Sequence, residues 1–441
     1  MRLTTRLSSA LTVLALALPA GAQAPAQPPP DESVLGEFVV TGVQQERLPR
    51  IAVLPSLSPD LEDVIVRGVV RRDFELTGLF EVIPDSKAPP GLYGFDDPID
   101  VPAWKKLGAE AIVKVAARAD KTPGKIQVLG IAYFLNVGQE PVYQKTIVVN
   151  KSEARITGHR ITDALLGALT GRPGGFASEF TFSARWGNNR RVFRMDSDGN
   201  GLTPLSDPSE HSIAPTWGPN HSLYYLLSKQ YAPYSLHVFA TGTHKTIQLP
   251  FRTSLYGVAF DKTFTRMALA VSENGRSAIY VGNPDGTAMK RVSSTELATH
   301  PVFSPSGKLA WVGGNAEEGS QRIFVENKPV SPAGFTAAAP AFCDTEDGIR
   351  LVYSVAVGGD RQDLVASNED GRNIARLTQG QGSNTSPACS PDGRLLAFFS
   401  TRNKQPGVYL MSLKRFSTQQ ISSQMGEGLR WAALPPVPNA P

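Results

Sequence analysis

The sequence is poor in the residues that usually carry chemistry. Two cysteines and six histidines are spread over 441 residues. His159, His211, His221, His237, His244 and His300 show no His-x-x-x-His or His/carboxylate ligand spacing, so no metal site is expected, and each is expected to be a surface or turn residue. No Gly-x-Ser-x-Gly elbow occurs, which argues against a serine hydrolase. Gly-x-Gly-x-x-Gly and the phosphate-binding Gly-Lys-Ser/Thr loop are missing too, so no nucleotide cofactor is implied. No cluster of Lys and Arg with interleaved aromatics appears, and the formal charge is only +4; nucleic acid is a poor partner. These absences together predict a protein that is not an enzyme and uses no cofactor.

Long apolar runs are equally scarce. Residues Met1–Ala22 combine Arg2 and Arg6, an apolar run from Leu11 to Leu18 and the small-residue site Ala20-Gly21-Ala22. That pattern predicts a secretory signal peptide cleaved before Gln23, too short in its apolar part to span a bilayer. An exported protein with no membrane insertion is expected. Residues 23–35 open on a Pro/Ala/Gln-rich stretch that cannot bury a core and are expected to form a flexible leader. Glu37-Phe38-Val39-Val40-Thr41 then reads as a short strand, either an edge strand of the next domain or a docking peptide for a partner's sheet.

From residue 36 to 171 strands alternate with helices, predicting a small α/β domain. Ile51-Ala52-Val53-Leu54 is an apolar strand, and Ser58-Pro59-Asp60 opens a helix with acids in its first turn. A hairpin is predicted over Ile126–Leu135 and Val142–Val149. The last helix places Ile161, Ala164, Leu165, Ala168 and Leu169 on one apolar face and stops at Gly171. Residues 172–178 read as a linker.

Residues 179–434 carry an internal repeat. Aligned opening segments fall at Pro215, Val258, Pro301, Pro340, Pro387 and, faintly, Arg430, in steps of 43, 43, 39, 47 and 43 residues. A second marker keeps the same beat through Asp198-Gly199, Gly242-Thr243, Asp285-Gly286, Lys328-Pro329, Asp370-Gly371 and Lys414-Arg415. Four short strands per unit at this period, like WD40 repeats, predict an all-β six-bladed propeller. The first blade lacks an opening strand of its own, and Gly428–Ala432 is expected to supply it and close the ring. Residues 435–441 read as a tail.

In a propeller the segments leading into the opening strands rim one mouth of the central channel. Here these include Ser254, Leu255, Tyr256, Thr299, His300, Asn384 and Thr385, polar and aromatic with few charges, as in the core of a protein interface. Cys343 and Cys389 lie on the opening strands of adjacent blades. Such strands usually stand further apart than a disulfide allows, so free thiols are expected ahead of a bridge.

The export segment, Ile51-Ala52-Val53-Leu54-Pro55, the phrase Ala103-Trp104-Lys105-Lys106-Leu107-Gly108-Ala109, the helix His159–Leu169 with Thr170-Gly171, and the Ser-Pro-Asp-Gly-type blades resemble the TolB family of the Tol-Pal system. The resemblance implies a monomeric periplasmic adaptor. Its propeller mouth would bind the lipoprotein Pal near Ser254 and Thr299, and Phe38, Val39, Val40 and Thr41 would engage TolA, in support of envelope integrity and constriction at division. The stretch Gln23–Asp31 departs from the family, in which the docking peptide begins near the cleavage site. The alternative is a periplasmic propeller that binds or processes a peptide or glycan.

Overall fold

The structure, a computed structural model, describes residues 31–36, 47–138, 140–230, 232–315 and 319–437. The expected signal peptide and the candidate docking residues Phe38, Val39, Val40 and Thr41 lie outside them.

The first domain contains β1 (Arg50–Val53), α1 (Leu61–Leu76), β2 (Glu81–Val82), α2 (Val101–Lys106), β3 (Ala111–Ala119), β4 (Lys125–Phe134), β5 (Tyr143–Asn150) and α3 (Ala154–Thr170). Its sheet runs β2-β1-β3-β4-β5, parallel among the first three strands and antiparallel beyond. After Arg50, β1 is continuously apolar because both of its faces are covered, whereas β5 at the edge is largely open to solvent. α2 begins where the Asp100 side chain accepts from the Ala103 N–H at 3.0 Å, and α3 ends at Gly171, whose φ of +78° few other residues adopt.

α3 buries a wider arc than its sequence pattern predicts. Ile161 and Leu165 are buried as expected, but Ala164, Ala168 and Leu169 are only half-buried, while Thr157, His159, Thr162 and Leu166 turn inward. The reason is packing on two sides, against the sheet and against α1. At Gly158 a Cβ would stand 2.9 Å from the Val69 side chain, so the absence of a side chain lets the helices cross closely.

From Glu32 onward the chain forms one compact unit. The core under α1 and α3 runs without a break into the propeller, joining Phe74, Leu165 and Leu166 to Phe180, Phe182 and Phe399. Residues 172–178 are consequently no free tether. Phe176 is buried, and the N–H groups of Phe176 and Ala177 donate to the Asp163 carboxylate at 2.7 and 2.8 Å.

The leader expected to be flexible through residue 35 is also partly held. Glu32–Leu35 form a short 3-10 turn, and Leu35 is wholly buried in the cluster that contains Val330 and Phe335. Glu32 pairs at 2.9 Å with Arg376, which is also bound to Asp363. One apolar side chain and one acid at the right spacing dock this turn on the fifth blade.

The propeller has six four-stranded antiparallel sheets. The innermost strands of blades two to six are His211–Trp217, Leu255–Phe260, Leu297–Phe303, Ala337–Thr345 and Asn384–Cys389. The innermost strand of blade one is Glu427–Ala433 from the end of the chain, paired antiparallel with Ser178–Trp186. Ring closure therefore follows the expected route. Trp431 seals it, its ring 4.4 Å from that of Phe180 and its Nε1 donating to Ser178 Oγ at 2.7 Å.

All six inner strands carry a register shift at one place. Ala214, His300, Ala339 and Ser386 take φ near +50° there, each followed by proline. Proline has no N–H to give a ladder, and a bulge on an edge strand is where a sheet tolerates it. The register also corrects the repeat alignment. Leu429, not Arg430, matches Pro301, Pro340 and Pro387, and Arg430 takes the place of Thr216, Val302, Ala341 and Ala388.

Cys343 and Cys389 are joined as a disulfide between blades five and six, contrary to the expectation of free thiols. Their Cα atoms are 5.3 Å apart. Inner strands converge on the channel, which brings these two neighbours within the span a bridge requires.

Candidate partner-binding mouth of the propeller

The candidate residues do not sit on loops. They lie at or near the leading ends of the inner strands, with Ser254, Leu255, Thr299, Asn384 and Thr385 ahead of the bulges and Tyr256 and His300 within them. The inner strands form a closed ring in the order of blades one to six, so their leading ends share one mouth. The approach is tight between blades three and four, where a Cβ on Gly257 would come within 2.8 Å of the Pro301 ring.

Strand alternation divides the candidates. Tyr256 is 40% exposed, His300 is exposed, and Ser254, Thr299 and Thr385 are half-exposed. Leu255 and Asn384 are buried and face the blade packing instead of the mouth. Asn384 Oδ1 accepts from Ser400 Oγ at 2.8 Å and from Arg402 at 3.1 Å, which fixes the start of blade six. Ser254 is partly committed as well, its Oγ accepting from the Tyr234 N–H at 3.1 Å. Tyr256, Thr299, His300 and Thr385 therefore form the accessible part of the set.

Electrostatics leave this mouth nearly uncharged. The protein walls crowding His300 desolvate its ring, although the residue is exposed at the mouth, and push it down to about 4, with the positive charge of Arg430 adding to the effect. Its Nδ1 lies 3.0 Å from Thr299 Oγ1, so a neutral imidazole and a hydroxyl form one hydrogen-bonding pair. His211, at the leading end of blade two, is also lowered by burial, then by Arg190, and packs edge-on to Tyr234. The nearby Glu427 is paired with Arg190 at 3.0 Å. Such a surface offers aromatic area and hydroxyls with few charges to desolvate, suited to burial under a protein partner.

A second constellation escapes sequence spacing. His159 is not a surface residue: it lies 1% exposed between α1 and blade one, with Nδ1 2.9 Å from Asp73 Oδ2. Ligand atoms of Asp73, His159 and Asp198 lie within 4.8 Å of one another. Arg155 bonds both Asp198 and, at 2.7 Å, Asp196. That guanidinium supplies positive charge that a cation would otherwise bring to Asp196 and Asp198. The sequence signal is an acid on the apolar face of α1, since Asp73 follows Val66 by seven residues and Val70 by three. His237 is buried as well, its ring 5.9 Å from that of Tyr225.

A cavity of about 350 Å³ opens in the channel beyond the bulges, with Trp217, Phe260, Phe342, Arg430 and Trp431 in its wall. Among the described residues no helix is long and apolar enough to cross a membrane.

An α/β domain fused through a shared core to a six-bladed propeller, with aromatic and hydroxyl groups at the channel mouth, defines a two-domain propeller protein. Residues 37–130 match the family model of the TolB amino-terminal domain. The Tol-Pal system protein TolB of Dinoroseobacter shibae is 30% identical over 220 residues, 48% of each chain. That of Dechloromonas aromatica is 26% identical over 207 residues, covering 46% of this chain and 47% of its own. The chain thus spans about half the length of the curated relatives it matches. The crystal structure of TolB from Acinetobacter baumannii superposes with a TM-score of 0.72 at 20% identity, over 88% of this chain and 97% of that one. The chain is thus similar to TolB proteins in its amino-terminal domain, over about half of its sequence, and in its fold.

Proposed function

We propose that the protein is a non-catalytic periplasmic adaptor of the Tol-Pal system that binds the lipoprotein Pal at the propeller mouth. The observation that carries this reading is the mouth itself, where Tyr256, Thr299, His300 and Thr385 present aromatic, hydroxyl and neutral imidazole groups with almost no charge. A rim exposed only to water has no need to avoid Lys and Glu, whereas an interface core does. The curated relatives, named as Tol-Pal system proteins, support the same assignment. In the full proposal Phe38, Val39, Val40 and Thr41 engage TolA, and the two contacts couple the envelope layers during division. The turn Glu32–Leu35, held on blade five, supports a role for this segment as a tether close to the propeller.

The test is calorimetry with purified Pal of the same organism and the double variant Tyr256→Glu/Thr299→Glu. Two acids placed in a desolvated centre weaken binding by several kcal/mol, on the order of a hundredfold or more. Both side chains reach solvent in the free protein, so the thermal transition should stay in place. Wild-type affinity in the folded variant would move the Pal site elsewhere. Deleting residues 23–41 without loss of binding to the TolA domain would remove the second contact from the proposal.

A further inference from the structure

Arg430 breaks the pattern of the channel wall. The register-equivalent residues in blades two, four, five and six are Thr216, Val302, Ala341 and Ala388, all small and neutral. A guanidinium in this position extends into space that the other blades leave open, and it borders the 350 Å³ cavity.

No acid answers it. Its one polar contact is to the carbonyl of its neighbour, with Nη1 donating to Leu429 O at 3.3 Å, and it joins no ion pair among the described residues. The cavity's one carboxylate, Asp261, is already engaged by its own turn. It accepts from the N–H groups of Thr265 and Arg266 at 2.8 and 3.0 Å and from Thr263 Oγ1 at 3.0 Å. The other cation among the described wall residues, Lys262, is 3.6 Å from Asp344. The surroundings of Arg430 are dense enough in protein to lower its pKa to about 10, from burial alone. Arg430 is half-buried, and a half-buried cation without a partner is less favourable than a paired one; a guanidinium meets that need best with two parallel hydrogen bonds to a carboxylate.

We infer that the central channel binds a carboxylate at Arg430, either on a small free anion or on an acidic side chain that a partner inserts through the mouth. Planarity favours a carboxylate over a spherical ion, and the apolar walls of Trp217, Phe260 and Phe342 suit a short carbon stem behind it. Arg430 and its open neighbours are a property of this channel whether or not Pal is the partner at the mouth.

The experiment has two arms, each with wild type, Arg430→Met and Arg430→Lys. In the first, succinate is titrated into the protein in low-salt buffer, read by calorimetry and by fluorescence of Trp217 and Trp431 beside the cavity. Wild type should show one saturable site, the methionine variant none, and the lysine variant at least tenfold weaker binding, because a single ammonium cannot form the fork. In the second, purified Pal is titrated into the same proteins. This arm rests on the Pal reading, whereas the succinate arm does not. Loss of Pal affinity in Arg430→Met without a succinate site assigns the carboxylate to the partner. A succinate site without an effect on Pal assigns it to a free anion. The melting temperature of Arg430→Met should equal or exceed that of wild type without succinate, since an uncompensated cation has been removed. Folded variants that match wild type in both arms overturn the inference.

Discussion

His159 on α3 and Asp73 on α1 meet at 2.9 Å with no more than 1% of either side chain exposed, and this pair sits where the first domain joins blade one. Burial by itself disfavours the imidazolium, but the charge and hydrogen bond of Asp73 outweigh it and raise the His159 pKa. A histidine whose folded pKa is raised contributes stability that is complete below its unfolded value of about 6.5 and is lost as pH rises through the folded value. Stability should therefore decline on the alkaline side, and His159→Gln should flatten that decline. At pH 6 the variant leaves a buried carboxylate without its cation, at a cost of about 3 kcal/mol. Urea unfolding at pH 6 and pH 9 checks this: equal losses at both values would show that His159 is not charged in the folded protein.

The docked turn at Glu32–Leu35 places one side chain in the cluster of blades four and five but pairs with no strand of either blade, so its loss should be local. Leu35→Ala removes a fully buried side chain and weakens the turn's attachment by about 2 to 3 kcal/mol. Hydrogen exchange should rise in residues 32–36 and along the facing edge near Ile374, with the global melting temperature nearly unchanged. A large fall in that temperature would mean the turn belongs to the cooperative core.

The bridge between Cys343 and Cys389 closes a loop with a sequence separation of 46. Ellman titration of unfolded, unreduced protein should find no free thiol. Cys389→Ser should lower stability by about 2 to 4 kcal/mol, the usual worth of such a cross-link. Two titratable thiols in protein purified without reductant would restore the expectation drawn from the sequence.

Closure by Glu427–Ala433 makes the first blade dependent on the last residues of the chain. Truncation before Gln424 removes Leu429 and Trp431 and exposes two sheet edges, so the propeller should lose its cooperative transition. A truncated protein that melts within about a degree of the parent would contradict the closure.

What the sequence determined by itself is whatever repeats or alternates along the chain. The period of the blades, the completion of blade one by its last strand and the order of elements in the first domain all follow from local patterns of apolar residues and turns. What the tertiary structure decided depends on distances that the sequence does not encode locally. Cys343 and Cys389 come within bridging range because strands of neighbouring blades converge. His159 reaches Asp73 because Gly158 lets two helices cross closely, and α3 buries a wider arc because it is covered on two sides. Leu255 and Asn384 turn away from the mouth because neighbouring strand residues face opposite ways, which a list of rim segments does not distinguish. Arg430 is the sharpest case. Only the strand pairing aligns it with Thr216, Val302, Ala341 and Ala388, one residue off the sequence repeat, and so sets a cation where other blades carry small neutral side chains.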